Sequence, residues 1–109
     1  MLSDEGKDAE AVSAFERAIA LNPDDPDSYV GLASSQLKLG KAAESLASYE
    51  NAARLSPGNA GIQYSIGVAA DQAGQRATAR QAFESYLALS PDATDKVTVQ
   101  GYIEQLSKP

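Results

Sequence analysis

The side chains most able to perform chemistry in this sequence are three aspartates that lie close together. Asp24, Asp25 and Asp27 could offer carboxylate oxygens to a divalent cation. A calcium-binding loop needs a longer series of ligands with a central glycine and a terminal glutamate, which this segment lacks. Because Asp25 precedes Pro26, a residue suited to the first helical position, helix capping and the helix dipole explain the cluster. The sequence therefore predicts no metal site.

The other residues that catalysis commonly uses are scarce. The sequence contains no Cys and no His, which excludes disulfides, thiolate metal sites, cysteine nucleophiles and imidazole bases. Helical serines such as Ser35 and Ser48 lack the motif that exposes a nucleophile beside a base, and no glycine-rich phosphate loop is present. We therefore predict that the protein is not an enzyme and that it uses no cofactor.

Charge narrows the range of partners. The 109 residues include 9 Lys and Arg against 15 Asp and Glu, which gives a formal net charge of −6. Such a chain repels the phosphate backbone of nucleic acids and anionic membrane surfaces. No apolar run approaches the roughly 18–20 residues of a membrane helix, and the first residues do not form a signal peptide. We expect no nucleic-acid binding and no membrane insertion, and the cellular compartment is left open.

A repeat of 34 residues organises the elements that position these side chains. Pro23, Pro57 and Pro91 recur at that spacing, and a leucine lies two residues before each of them. An aromatic residue lies eight positions before each proline and a glycine lies seventeen positions before it. These residues are Phe15, Tyr49 and Phe83, and Gly6, Gly40 and Gly74. Self-similarity at a fixed period is typical of stacked structural repeats.

Each complete repeat is predicted to form two antiparallel helices, and the abundance of alanine with few β-branched residues favours an all-α fold. Asp25 and Asn59 are the predicted N-caps, and Gly40 and Gly74 are the predicted turns between the paired helices. Gly6 falls at the same turn position, so the first repeat is expected to be truncated and to consist mainly of its second helix. The predicted helices are 26–39, 41–55, 60–73 and 75–89, in repeats 26–59 and 60–93, with residues 1–25 as the truncated repeat and 94–107 as a capping helix.

This pattern resembles the tetratricopeptide repeat family. A unit of that family carries an early aromatic, a Leu–Gly/Ala pair, a glycine turn, small residues with an aromatic in the second helix, and a closing proline. The matching residues are Tyr29, Leu32, Ala33, Gly40, Tyr49, Ala52 and Pro57, and then Ile66, Gly67, Gly74, Ala79, Phe83 and Pro91. Gln63, Tyr86 and Ser45 depart from the pattern. The resemblance implies a right-handed solenoid of antiparallel helix pairs that binds proteins or peptides.

The resemblance also implies where a partner would bind. In the proteins that this chain resembles, the first helix of each pair lines the concave side, where partner peptides lie. Helical spacing assigns to that stripe Asp27, Val30, Ser34, Leu37, Lys38, Tyr64, Val68, Asp71 and Gln72, with Tyr102 of the capping helix in register. A mixed apolar and polar surface of this kind suits recognition of a peptide. The alternative interpretation is that Val30 and Leu37 only pack between neighbouring first helices.

One subclass of these proteins is disfavoured. Co-chaperones of the family hold the terminal carboxylate of a peptide with Lys, Arg and Asn side chains on this stripe. The complete repeats here present neither a cation nor Asn at those positions, which carry Val30, Gly31, Ser34, Gly61, Tyr64, Ser65 and Val68. We therefore do not expect a receptor for chaperone tails.

A second hypothesis is structural. In a truncated first repeat, the face that carries Val12, Phe15 and Ile19 would lack half of its cover. Exposed apolar patches of that size usually find another surface. The chain could then belong to the end of a longer solenoid or associate with a second copy of itself through this face.

Overall fold

The computed structural model describes residues 2–108, and side chains from residue 6 onward. These residues form six helices: α1 (Leu2–Leu21), α2 (Pro26–Lys38), α3 (Ala42–Leu55), α4 (Ala60–Gln72), α5 (Arg76–Leu89) and α6 (Lys96–Leu106). No strand occurs within residues 2–108, so the predicted all-α fold is confirmed. The chain divides into two compact units, 1–57 with α1–α3 and 58–109 with α4–α6. The boundaries assigned to the sequence repeats themselves stay a prediction.

Helix capping accounts for Asp25, as predicted. Its carboxylate accepts hydrogen bonds from the backbone N–H of Asp27 at 3.1 Å and from the Ser28 hydroxyl at 3.0 Å. Asn59 caps α4 in the same way, because its side-chain oxygen accepts a hydrogen bond from the Ile62 N–H at 3.2 Å. Each cap satisfies a donor that the first turn of a helix otherwise leaves free.

The two predicted glycine turns are confirmed, and the third is wrong. Gly40 and Gly74 have φ angles of 80° and 79°, a conformation that favours glycine. Gly6 instead lies inside α1, which runs without interruption from Leu2 to Leu21. A glycine in an exposed helix costs only about 1 kcal/mol relative to alanine, so it permits a turn without forcing one. The turns form where a second helix packs back on the first, as α3 packs on α2 and α5 packs on α4.

In the first unit, α2 packs against both α1 and α3. The α2–α3 interface joins apolar packing to two buried hydrogen bonds. The Ser45 hydroxyl donates to the carbonyl oxygen of Ala33, and the Ser48 hydroxyl donates to the side-chain oxygen of Gln36, both at 2.7 Å. These bonds explain how Ser45, a departure from the family pattern, is accommodated in the core. The apolar core residues of this unit are Leu32, Ala33, Leu46, Tyr49 and Ala52.

In the second unit, α5 packs against α4 and α6. Phe83 of α5 is buried and lies so close to α4 that a Cβ atom at Gly67 would be 2.6 Å from its ring. Val99 is the fully buried residue by which α6 contributes to this core. The remaining apolar core residues are Ile62, Ile66, Ala69, Ala70, Ala79 and Ala82.

Candidate functional site

The second unit contains a cleft of about 640 Å³ formed by α4, α5 and α6. It is lined by Tyr64, Val68, Asp71, Gln72, Gly74, Arg76, Phe83, Tyr102, Gln105 and Leu106. Of the residues that the sequence assigned to the binding surface in this unit, five lie around this cleft: Tyr64, Val68, Asp71, Gln72 and Tyr102. The structure thus brings these residues together, although binding itself stays a prediction.

The floor and one wall of the cleft are aromatic. The Tyr64 ring meets the Phe83 ring edge to face, with centroids 5.6 Å apart and planes at 73°. Phe83 also lies 5.4 Å from the Tyr102 ring, which is 40% exposed. Aromatic pairs in such geometries contribute stabilising free energy beyond that of the apolar area they bury. The cleft therefore has a preformed apolar base, with Tyr102 open to solvent at its side.

A third tyrosine, Tyr86, packs against this aromatic cluster. The Tyr86 ring lies 5.3 Å from the Tyr64 ring, and its hydroxyl donates a 2.7 Å hydrogen bond to the carboxylate of Asp95. That hydrogen bond, aided by burial, raises the pKa of the Tyr86 hydroxyl. Burial raises the pKa of the Tyr64 hydroxyl, and the neighbouring Tyr102 and Asp95 raise it further. Both phenols therefore keep their protons at neutral pH. Tyr86, which departs from the small residue of the family pattern, packs its ring against that of Tyr64.

Two helices, α4 and α6, end at the rim of the cleft. Asp71 and Gln72 belong to the last turn of α4, and Gln105 belongs to the last turn of α6. Neither last turn carries a basic residue of its own. The Nη2 group of Arg76 donates hydrogen bonds to the carbonyl oxygens of Gln105 at 3.0 Å and Lys108 at 2.8 Å. The guanidinium thus caps carbonyl groups at the end of α6. Asp71 is exposed beside the cleft.

The sequence-predicted residues of the first unit lie on α2, but nothing in the structure tests whether they bind a partner. Asp27 is exposed in the first turn and Lys38 is exposed in the last turn. Val30, Ser34 and Leu37 are half-buried. Their assignment to a binding surface stays a prediction.

The predicted self-association face on α1 is partly engaged within its own unit. The ring of Phe15 lies against α2, where a Cβ atom at Gly31 would overlap it. Val12 and Ile19 are half-buried, as is Phe15. Association through this face stays a prediction as well.

Sequence reasoning missed Arg76 and Leu106, and it interpreted Phe83 as a core residue only. Phe83 is a core residue, with 3% of its surface exposed, yet one part of its ring forms the base of the cleft. Arg76 reaches main-chain atoms at the end of α6, 29 and 32 residues further along the chain. Neither the spacing nor the residue type signals such a contact.

Two other kinds of site are not found in the described part of the chain. Within it, no group of three or more acidic side chains is arranged to hold a metal ion. None of its helices has both the length and the apolar character needed to cross a membrane.

Comparison with known sequences identifies the class of protein. The sequence model of the tetratricopeptide repeat matches residues 2–60 and 30–94. The chain therefore belongs to the tetratricopeptide repeat family. A search of curated proteins finds no match.

Solved structures with the same helical-repeat fold include several peptide complexes. The second TPR domain of human RPAP3, in complex with the HSP70 peptide SGPTIEEVD, has a TM-score of 0.83 and 26% identity over 96% of this chain and 85% of that one. The first TPR of Spaghetti (RPAP3), bound to the HSP90 peptide SRMEEVD, has a TM-score of 0.84 and 20% identity over 94% and 82%. The Yersinia enterocolitica chaperone SycD, in complex with a peptide of the translocator YopD, has a TM-score of 0.83 and 18% identity over 93% and 80%.

Proposed function

We propose that this protein is a non-catalytic interaction module that binds a peptide segment of a partner protein in the cleft of its second unit. The observation that carries the proposal is the convergence of five predicted residues from α4 and α6 on one cleft. Aromatic rings form its base, and polar side chains stand at its rim. Pockets that bind ligands typically combine an apolar lining with a few polar groups that fix orientation.

Several features of the cleft suit a peptide better than a reacting small molecule. The Tyr64 phenol keeps its proton, and the chain supplies neither imidazole nor thiol. The half-buried Val68 and the exposed Tyr102 offer contact surface without an apparent chemical role. Members of the same fold bind peptides, as the RPAP3 and SycD complexes illustrate. These observations support recognition of a partner segment.

Selection of displayed random peptides on the immobilised protein tests the proposal. The selected peptides are expected to bind the wild type and to lose at least tenfold in affinity on Val68→Glu, because a charge at this half-buried position would face the apolar base of the cleft. Val97→Glu is the matched control, because Val97 lies in the same unit, is 82% exposed and does not line the cleft. Circular dichroism checks that both variants fold. Tyr102→Ala is a second cleft variant should Val68→Glu unfold.

Equal binding by the wild type, the Val68→Glu variant and the Tyr102→Ala variant would contradict the proposal. Loss of binding on Val97→Glu alone would place the binding surface elsewhere on the unit. The predicted contribution of α2 is tested separately by Val30→Glu, which should weaken the same peptides if that helix also binds them.

A second candidate function is self-association through α1, and differences in exposure between helices favour it. Ala14 is exposed, whereas Ser48 and Ala82, at the corresponding positions of α3 and α5, are 6% and 4% exposed. Leu21 at the end of the helix is 88% exposed. Because the ring of Phe15 already lies against α2, we place the proposed contact on the side of α1 that carries Ala14 and Leu21.

Sedimentation velocity over a hundredfold range of protein concentration tests this second candidate. The sedimentation coefficient should rise with concentration for the wild type and stay constant for Ala14→Glu. Ala47→Glu introduces the same charge at an exposed position of α3 and should leave association unchanged. A wild type that remains monomeric throughout would contradict the candidate.

A further inference from the structure

The electrostatic character of the cleft identifies a class of partner. Two helices, α4 and α6, end at its rim, and a helix C-terminus carries a partial negative charge. The last turn of α4 adds the carboxylate of Asp71, which is exposed. Cations are the groups that stabilise such an end, and the last turn of α4 has none.

Among the described residues that line the cleft, the basic side chain is Arg76, and it is already hydrogen-bonded. Arg76 donates through Nη2 to the carbonyl oxygens of Gln105 and Lys108, at 3.0 Å and 2.8 Å. This contact offsets the partial negative charge at the end of α6 and directs Nη2 to main-chain atoms. The guanidinium keeps its positive charge, and the negative features that face the cleft are the Asp71 carboxylate and the end of α4.

The aromatic surface of the cleft also favours a cation. The π-face of a tyrosine is electronegative and attracts a cation that lies within about 6 Å of the ring centre. Tyr64 and Tyr102 both line the cleft, and Tyr102 is open to solvent. Guanidinium stacks on aromatic rings and pairs with carboxylates, and it is more weakly hydrated than an ammonium group.

We infer that the cleft of the second unit binds an arginine side chain of the partner peptide, with the guanidinium between the tyrosine rings and the Asp71 carboxylate. This inference rests on the proposed function and specifies its ligand. It implies a preference opposite to that of a carboxylate-binding site, because an acidic residue would meet the Asp71 carboxylate and the C-terminal end of α4. Leucines beside the arginine would contact Val68 and the base of the cleft.

Four blocked pentapeptides test the inference. They share the sequence acetyl-Ala-Leu-X-Leu-Ala-amide, in which X is arginine, citrulline, norleucine or glutamate. Citrulline has nearly the shape of arginine without its charge, so the pair isolates the electrostatic contribution. Amide chemical-shift changes of the 109-residue protein, followed during titration, give the dissociation constants and identify the residues that each peptide contacts.

The arginine peptide is expected to bind about tenfold more tightly than the citrulline peptide and to shift the amides of the ends of α4 and α6. Asp71→Asn should reduce that preference to threefold or less while the norleucine peptide binds as before. Asp92→Asn, at an exposed residue outside the cleft, makes the same change in net charge and should preserve the preference. Raising the salt concentration should weaken the arginine peptide more than the norleucine peptide.

The outcomes separate this inference from the proposed function. Equal affinity for arginine and citrulline, or tighter binding of glutamate, with shifts mapped to the cleft, would overturn the arginine preference and leave peptide binding standing. A preference for arginine that survives Asp71→Asn would overturn the placement of the guanidinium. Failure of all four peptides to shift any cleft resonance would count against both.

Discussion

The two helix pairs of this protein share one fold but are joined by different chemistry at the same positions. Between α2 and α3, Ser45 and Ser48 donate buried hydrogen bonds to Ala33 and Gln36. Between α4 and α5, the positions of the two serines and of the glutamine are occupied by Ala79, Ala82 and Ala70, all buried. A buried hydroxyl is tolerated only with a partner. One interface thus uses polar residues in matched pairs, and the other uses none at these positions.

The two pairs also differ at a fourth position, which lies next to the cleft. In the α4–α5 pair, Gly67 replaces the Ala33 of α2, and the Phe83 ring lies in the space that a Cβ would occupy. Phe83 then contacts Tyr64 and Tyr102, and the three rings line the cleft. Val30 is the α2 residue in register with Tyr64. The residues of the aromatic interface therefore stabilise their helix pair and also line the proposed binding site. The residues of the polar interface stabilise their helix pair.

The largest expected effect comes from removing the ring that has both roles. Phe83→Ala should destabilise the second unit by about 3–5 kcal/mol, because it deletes a buried aromatic side chain and leaves a cavity. Native-state hydrogen exchange, resolved by residue, should show a greater loss of protection in α4 and α5 than in α2 and α3. Equal losses in both units, or a change below about 1 kcal/mol, would show that the ring does not organise this interface.

A smaller effect tests the polar interface. Ser48→Ala should cost about 1–3 kcal/mol, because the side-chain oxygen of Gln36 would remain buried without a donor. Adding Gln36→Met should recover part of that loss, because the double variant removes both polar partners and approaches the apolar pattern of Ala70 and Ala82. Urea denaturation measures both changes. A double variant no more stable than the single one would mean that the hydrogen bond is not what couples these residues.

The sequence contained enough information for the helices and much less for the contacts between them. All five helices predicted from residue 26 onward begin and end within two residues of the observed bounds. Prolines, glycines and capping residues act locally, so their spacing is sufficient. Gly6 was misinterpreted because glycine permits a turn without requiring one. Its place in the repeat could not show that α1 continues through it.

The candidate site was predictable in its residues but not in its geometry. Helical periodicity placed Tyr64 and Val68 on one face of α4, and the register of the repeat placed Tyr102 nearby. The contribution of Arg76 depends on a long side chain that reaches the backbone at the end of α6. The Tyr86–Asp95 hydrogen bond likewise joins α5 to the residue that precedes α6. Side-chain conformation and tertiary packing set such contacts, and a one-dimensional pattern carries no record of them.

The smallest expected effect is a change in how the stability of the protein depends on pH, and it distinguishes the aromatic interface from the polar one. The hydrogen bond to Asp95 raises the pKa of Tyr86, and burial raises the pKa of Tyr64, so folding favours the protonated phenols. The unfolded chain, with ordinary tyrosines near pKa 10, loses these protons first as the pH rises. The stability that they contribute is therefore complete below pH 10 and is lost as the pH rises through the folded-state values.

Tyr86→Phe removes one of these groups and should flatten the decline in stability between pH 9 and pH 11. Tyr49→Phe, in the α2–α3 pair, is the control, and urea midpoints across this pH range measure both variants. Because Tyr86 also holds Tyr64 in the aromatic cluster, a flattened decline should accompany weaker binding of cleft-directed peptides at neutral pH. An unchanged pH profile would mean that the Tyr86–Asp95 hydrogen bond does not persist in solution.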